Sequence, residues 1–367
     1  MHSDVLVVGG GPAGLAVAIA ARAKGFSVSL VDSRRPPIDK PCGEGLLPEA
    51  AASLRTLGVD LESCANYRFT GVRFSDSASS ASARFGRASA YGVRRTLLHR
   101  LLVQRAQSAG VDLHWGARLV HHDSLAADVD GQRIFFRWLI AADGMNSPIR
   151  KSAGLNPIAR GRGRFAFRRH FSVAPWTDLV EVHWGADCQM IVTPTGPEEV
   201  CLALFTRDHR QRIDSALGQF PGLARRLAGA RPASAESGAR TALSKARFVA
   251  RGNIALVGDA SCSLDGIAGQ GLNLAFHAAG HLAAALARED LRSYASAHRA
   301  ITRTPVRITR LMLLMARYPW IRKKTLRMFA AKPALFANMM SIHAGITESD
   351  SFGLQRIFGL GWRVLRA

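Results

Sequence analysis

The stretch Asp4-Val5-Leu6-Val7-Val8-Gly9-Gly10-Gly11-Pro12-Ala13-Gly14 decides how this chain folds. Asp4 to Val8 is short and almost wholly apolar, the pattern of a strand buried on both faces of a parallel sheet. Three glycines then turn the chain, and Pro12 opens a helix where its missing N–H costs nothing. Gly14 lets that helix lie close to the strand. Ala13 to Ala21 is small and apolar, Gly25 ends the helix, and Phe26 to Val31 forms a second strand closing on Asp32. Gly9, Gly11 and Gly14 read G-x-G-x-x-G, and Asp32 follows Gly14 by 18 residues. Within a strand–helix–strand unit this pattern seats a dinucleotide. The helix N-terminus offers free N–H groups to a pyrophosphate, and the acid accepts from a ribose 2′-OH.

The rest of the chain bounds the answer. Its 367 residues predict two closely joined domains. Lys+Arg number 49 against 27 Asp+Glu, a formal net charge of +22, which points to an anionic surface or substrate. Membrane, nucleic acid and acidic small molecules are the candidate partners, and nucleic acid is disfavoured because no binding fingerprint accompanies the charge. Cys42, Cys64, Cys188, Cys201 and Cys262 show no C-x-x-C spacing. With no signal peptide before the first strand, the expectation is a reducing cytoplasm with neither disulfides nor a metal site.

After Asp32 comes a loop, Ser33-Arg34-Arg35-Pro36-Pro37, then Lys40-Pro41-Cys42-Gly43-Glu44-Gly45-Leu46, whose prolines and glycines bracket a Cys and a Glu. Ala50 to Leu57 reads as a helix, and Tyr67 to Phe85 as strands joined through an exposed Ser/Ala-rich hairpin at 75–82. A helix follows Arg95, with strands at 111–115, 118–122 and 134–142. Asp143-Gly144 ends the last of these. From 153 to 249 the pattern is that of an inserted, mostly antiparallel sheet. Ile254 to Val257 returns to a buried strand, followed by Gly258-Asp259 and an alanine-rich helix from Gly271. The fold class is thus α/β: a Rossmann-like domain (1–152 and 250–288, with strands around 66–90 contributed to the other domain), an inserted β-sheet substrate domain (153–249) and a basic helical C-terminal region (289–367).

Three segments repeat one architecture, an apolar strand ending in a Gly or Asp turn: 5–14, 138–150 and 254–273. In a parallel sheet the ligand lies beyond the strands' carboxyl ends, so all three turns can meet one ligand. Asp259 could accept from ribityl hydroxyls, and the helix from Gly271 could direct its N-terminus at a polar ring edge.

On these residues the chain resembles the FAD-dependent monooxygenase and geranylgeranyl-reductase superfamily, with the para-hydroxybenzoate hydroxylase fold. The N-terminal fingerprint, a D-G-x-x-S-x-x-R segment (Asp143, Gly144, Ser147, Arg150) and the Gly258-Asp259 pair match in order, over about the first 285 residues. Arg95 matches an FAD-contacting arginine. The resemblance implies FAD held by Gly9, Gly11, Pro12, Ala13, Gly14, Asp32, Ser33, Arg34, Cys42, Gly43, Arg95, Asp143, Gly144, Gly258, Asp259, Gly269, Gly271, Leu272 and Asn273. Asp32 would hold the adenine-side ribose, Asp143 would lie near the pyrophosphate and Asp259 would hold the ribityl chain. Lys40-Pro41-Cys42-Gly43-Glu44-Gly45-Leu46 resembles the flavin-side loop of the reductases. Cys262 and Gly266 stand where many aromatic hydroxylases carry His and Pro, and no W-x-W-x-I-P segment marks a halogenase. With no second glycine fingerprint, NAD(P)H would act as a transient reductant.

The implied activity is NAD(P)H-dependent hydroxylation of a hydrophobic aromatic or polyketide-like product of secondary metabolism. The alternatives are a reductase saturating isoprenoid double bonds and a flavin-containing, anionic-surface-binding protein without catalysis. Cys42 and Glu44 are the candidate catalytic residues, Glu44 as a proton donor. Trp176 and Trp184 are candidates for the substrate pocket. In the tail, Met312, Leu313, Met315, Trp320, Ile321, Phe329, Phe336 and Met340 supply an apolar side and Arg303 to Arg327 a basic one. A basic amphipathic helix of this kind lies on an anionic membrane, giving a cytoplasmic enzyme peripheral at the inner membrane face.

The purified protein should be yellow, with FAD released intact on denaturation. Replacing Asp32 with Ala should weaken FAD by about 1–3 kcal/mol, read by absorbance titration. A colourless protein that takes up no added FAD would overturn the reading.

Overall fold

The computed structural model describes residues 1–347, except 63, 65, 161 and 162; for residues 157–160 only the backbone is described. The first strand, His2–Val8, is central in a parallel sheet. It pairs with Val28–Asp32 on one side and Gln132–Ala141 on the other. Asp112–Trp115 extends the sheet beyond Val28–Asp32, and Ile254–Leu256 extends it beyond Gln132–Ala141. The three strands ending in Gly or Asp turns are therefore neighbours, and their turns emerge side by side. Helix Pro12–Arg22 covers one face with nine buried residues, as an all-apolar helix between sheet and neighbour must.

The close approach of that helix is set at two glycines. A Cβ on Gly14 would lie 1.8 Å from the Gly9 carbonyl oxygen, and one on Gly9 would lie 2.3 Å from the carbonyl oxygen of Ala142. Gly9 also takes a left-handed φ of 113°, open to glycine without steric cost.

A second sheet runs Arg164–Ser172, Glu199–Thr206, Gln189–Gly196, Leu179–Trp184, all antiparallel, then Gly71–Ser75 and Ser80–Arg84. Leu179–Trp184 and Gly71–Ser75 pair in parallel, so a hairpin from the first part of the chain completes the later sheet. The sheet is covered on both faces. Met190, Val192, Leu202 and Leu204 pack under the short helices Ile213–Leu217 and Pro221–Arg226. Phe74, Val182, Ile191, Ala203 and Phe205 face the opposite way, in a cluster with Met312, Leu326, Phe329 and Phe336 of the C-terminal helices. Residues one apart thus serve opposite cores, which is why these strands read as continuous apolar runs.

The C-terminal region forms helices Leu291–Arg317, Pro319–Ala331 and Pro333–His343. Two expectations change here. The Ser/Ala-rich segment at 75–82 is not wholly exposed: Ala81 is buried, because Ser80–Arg84 is a strand beneath these helices. And most of the tail's apolar side, Met312, Met315, Phe329, Phe336 and Met340, is consumed in that core rather than offered to a membrane. Positions 348–367 of the predicted basic region lie outside the described residues.

Gly14→Ala should push helix Pro12–Arg22 off its strand and cost about 1–3 kcal/mol, the scale of overpacking in a close-packed interior. Thermal unfolding of the FAD-free protein would read this; an unchanged melting temperature would contradict the packing described.

Candidate active site

One cavity of about 890 Å³ runs from the three turns to the face of the second sheet. Gly9, Gly11, Pro12, Ala13, Asp32, Ser33, Arg34, Cys42, Gly43, Arg95, Asp143, Gly144, Gly258, Asp259, Gly269, Gly271 and Leu272 all line it. Two of the predicted contacts do not. Gly14 is spent on backbone packing against Gly9. The Asn273 amide instead donates to Glu49 Oε2 (2.6 Å) and Gln270 Oε1 (2.7 Å), which turns it into the helix–helix contact.

The glycine turn is held from behind. Asp32 accepts from the backbone N–H of Gly10 (2.7 Å) and of Arg34 (2.8 Å). His99, on the helix Arg95–Ser108, meets the Gly10 carbonyl through Nε2 at 2.9 Å. Burial lowers the His99 pKa, and since the Gly10 carbonyl can only accept, Nε2–H is the donor. In the second turn, Ser147 caps the helix Pro148–Ser152 by accepting from Arg150 N–H at 2.9 Å. The fully buried Arg150 side chain donates to the carbonyls of Met145 (2.7 Å) and Ala260 (2.9 Å), tying the second turn to the third. The D-G-x-x-S-x-x-R segment thus acts as a brace between turns.

Several features of this part of the cavity fit FAD. Helices Pro12–Arg22 and Gly271–Ala287 begin at it without side-chain caps, so their first N–H groups are free for an anion. The buried Arg95 has no ion-pair partner among the described residues, and its Nε has no hydrogen bond. Burial lowers its pKa. Asp143 Oδ1 is likewise buried without a partner, and burial pushes that carboxyl up. Asp259 sits across the cavity from the loop 40–46 and pairs with Lys40 Nζ at 2.5 Å.

The candidate catalytic residues are placed differently from the expectation. Glu44 lines the cavity, and its side chain is fully buried against residues of the second sheet. Its Oε2 meets His170 Nε2 at 2.6 Å, and its Oε1 accepts from Arg95 N–H (2.9 Å) and lies 3.5 Å from Arg168 Nη1. Arg168 also binds Asp39 (2.6 Å), and His170 Nδ1 faces Arg168 and the Ser234 hydroxyl (2.9 Å). Nδ1 therefore accepts and Nε2–H donates to Glu44. A carboxylate so enclosed ties the loop to the second sheet. Glu44, His170 and Cys201 approach within 4.8 Å, as metal ligands do. The Arg168 guanidinium already supplies positive charge there. Cys42 lines the cavity, where burial raises its pKa and favours the thiol.

The predicted pocket tryptophans are also corrected. Trp176 donates to Glu181 (2.8 Å) and stacks under Arg226, on the far side of the sheet. Trp184 packs edge-on against Phe74 in the core under the C-terminal helices. The apolar wall is instead made by Val72, Phe74, Val180, Val182, Ile191 and Phe205, closed by Met312 and Met340.

Sequence reasoning missed the strand Arg164–Ser172 as a site element. Arg164, Arg168 and His170 all lie on its buried side, while Phe165, Phe167 and Phe171 face the other core. Arg164 forms a buried two-point pair with Asp265 (3.1 and 2.5 Å), and Asp265 caps the turn Gly266–Ala268. The signal was there: polar residues at period two within a run otherwise patterned as a buried strand.

The comparisons agree with this geometry. The chain is 37% identical over 163 residues to the menaquinone reductase of Mycobacterium tuberculosis (strain H37Rv), covering 41% of this chain and 40% of that protein. It is 27% identical over 309 residues to the ubiquinone hydroxylase UbiL of Rhodospirillum rubrum, covering 74% and 69%. The aligned part thus spans about two fifths of the menaquinone reductase. Among solved structures, a flavoprotein/dehydrogenase from Cytophaga hutchinsonii superposes with a TM-score of 0.82 at 18% identity, covering 94% and 93%. The p-nitrophenol 4-monooxygenase PnpA of Pseudomonas putida gives 0.78 at 17%, covering 94% and 97%. At those identities the structures share the fold. The family model described as an FAD binding domain matches residues 2–299, so the chain belongs to the family of proteins built on that FAD-binding domain.

Proposed function

We propose that the protein is an FAD-dependent oxidoreductase that hydroxylates a lipophilic, ring-bearing small molecule, with NAD(P)H as transient reductant. The observation that carries this reading is the continuity of the cavity. Its polar end has the free helix N-termini and Arg95, and its other end is the apolar wall from Val72 to Phe205 under Met312 and Met340. Bound FAD would supply the redox chemistry, passing electrons from a nicotinamide toward O₂ or substrate. The chain's own part is to hold and to exclude. Arg95 and the two helix N-termini would fix the anionic cofactor, and the sheet face would keep water from the reacting atoms. The relative named ubiquinone hydroxylase, aligned over 74% of this chain, supports a quinone-like ring as the substrate head.

A second reading, saturation of an isoprenoid double bond, draws on the 37% identity to a menaquinone reductase and on the loop Lys40–Leu46. It needs a proton donor at the ring, and the pairing of Glu44 with His170 and Arg168 argues against Glu44 in that role.

Turnover under ¹⁸O₂ with alkylphenols, quinols and prenyl chains separates the two. A product carrying one labelled oxygen supports hydroxylation. An unlabelled product heavier by two hydrogens, formed without oxygen, would replace it with the reductase. Glu44→Ala should cost about 3–5 kcal/mol of stability by leaving His170 and Arg168 without their carboxylate, measured by denaturant unfolding. Glu44→Gln should lose less and leave the pH profile of turnover unmoved; a shifted profile would restore Glu44 as a proton donor.

A further inference from the structure

From Leu291 to Thr347 there are eleven Lys and Arg and no Asp or Glu. The structure divides this segment into a face that is used and a face that is not. Met312, Met315, Leu326 and Phe329 pack onto the hairpin of Gly71–Ser75 and Ser80–Arg84. Arg322 is also turned inward, 3.9 Å from Asp76. The outward face of helix Leu291–Arg317 carries Arg303, Arg310, Leu314 and Arg317, at spacings of seven, four and three. The outward face of Pro319–Ala331 carries Trp320, Lys323, Lys324 and Arg327, again on one stripe. Tyr318 and Pro319 form the corner between the two helices. Leu314 is 46%, Tyr318 43% and Trp320 52% exposed, so three large apolar side chains stand in solvent at one corner. Among the described residues, Arg310, Arg317, Lys323 and Arg327 have no acidic partner within 4.0 Å.

We propose that this corner docks the protein on an anionic lipid bilayer. Trp320 and Tyr318 would sit at headgroup level, where amphipathic rings partition. Arg310, Arg317, Lys323 and Arg327 would meet the anionic headgroups. The helices do not embed their broad apolar side, because the fold has already buried it. The contact is therefore shallow and depends on charge. A nucleic acid would satisfy the cations but gives no reason for Leu314, Tyr318 and Trp320 to share the exposed corner. Docking there would bring lipid against the helices whose inner sides, at Met312 and Met340, close the apolar cavity wall. That last step rests on the proposed function; the docking does not.

The test uses the full chain loaded with FAD. Sedimentation is measured with phosphatidylcholine vesicles, with and without phosphatidylglycerol, at two salt concentrations. Binding should need the anionic lipid and weaken as salt rises. The double variant Lys323→Glu/Arg327→Glu should partition on the order of tenfold less or weaker still, with an unchanged melting temperature. Vesicles of brominated lipid should quench the tryptophan fluorescence of the wild type, and Trp320→Phe should abolish most of that quenching while retaining the fold. No pelleting, equal pelleting on neutral lipid, undiminished binding of the double variant, or duplex DNA displacing the vesicles would each overturn the proposal. None of these readings depends on turnover, so failure here is distinct from failure of the proposed activity.

Discussion

The buried carboxylate of Glu44 ties the cavity loop to the second sheet. It lies on the cavity loop, and its partners lie on a strand of the second sheet and at the start of the helix Arg95–Ser108. Taking a carboxylate out of water is costly, and the cost is offset only when its oxygens find a complete set of donors. Glu44 also holds a left-handed φ of 60°, a conformation that persists in a non-glycine residue when its surroundings over-determine it.

The same strand repeats the device. Arg164 grips Asp265 at the third turn, as Arg168 and His170 grip Glu44 at the loop. Both walls of the cavity are thus referenced to Arg164–Ser172. The second sheet is a built-in side of the site, fixed by two buried charge clusters whose members are far apart in sequence. Such buried pairs roughly cancel their own desolvation, so their net contribution to stability is small while both partners are present.

The cavity between these clips has two characters for two physical reasons. Helices that follow parallel strands begin with unsatisfied N–H groups, so the end of the cavity where they start attracts anions. A sheet covered on both faces must present branched and aromatic side chains, so the opposite wall is apolar. The C-terminal helices complete that wall with their inner side. The pattern of their sequence, apolar and basic at helical period, holds for a protein cap and for a membrane helix alike. The fold selects the cap and leaves the basic stripe, with its aromatic corner, facing out.

How much could be read in advance follows from how local each feature is. The strand–turn–helix at Val5 to Gly14, the acid at Asp32 and the three turns are each written within a few neighbouring residues, because local backbone sterics and a helix N-terminus need no distant partner. The cavity contacts of most residues in those turns follow from the rule that parallel strands open their carboxyl ends to one side. Asn273, Trp176 and Trp184 were misread because nothing near them in sequence tells which side of a helix or sheet will be covered. Glu44 shows the limit most plainly. Its tight loop is evident from glycines and prolines, and the loop's place beside the flavin is implied only by resemblance, but its partners His170 and Arg168 lie more than a hundred residues away. The sequence by itself determined the dinucleotide-binding half of this protein. Only the tertiary structure decided which charges are anchors and which apolar faces are spent, because burial and pairing belong to contacts between segments that the chain order does not reveal.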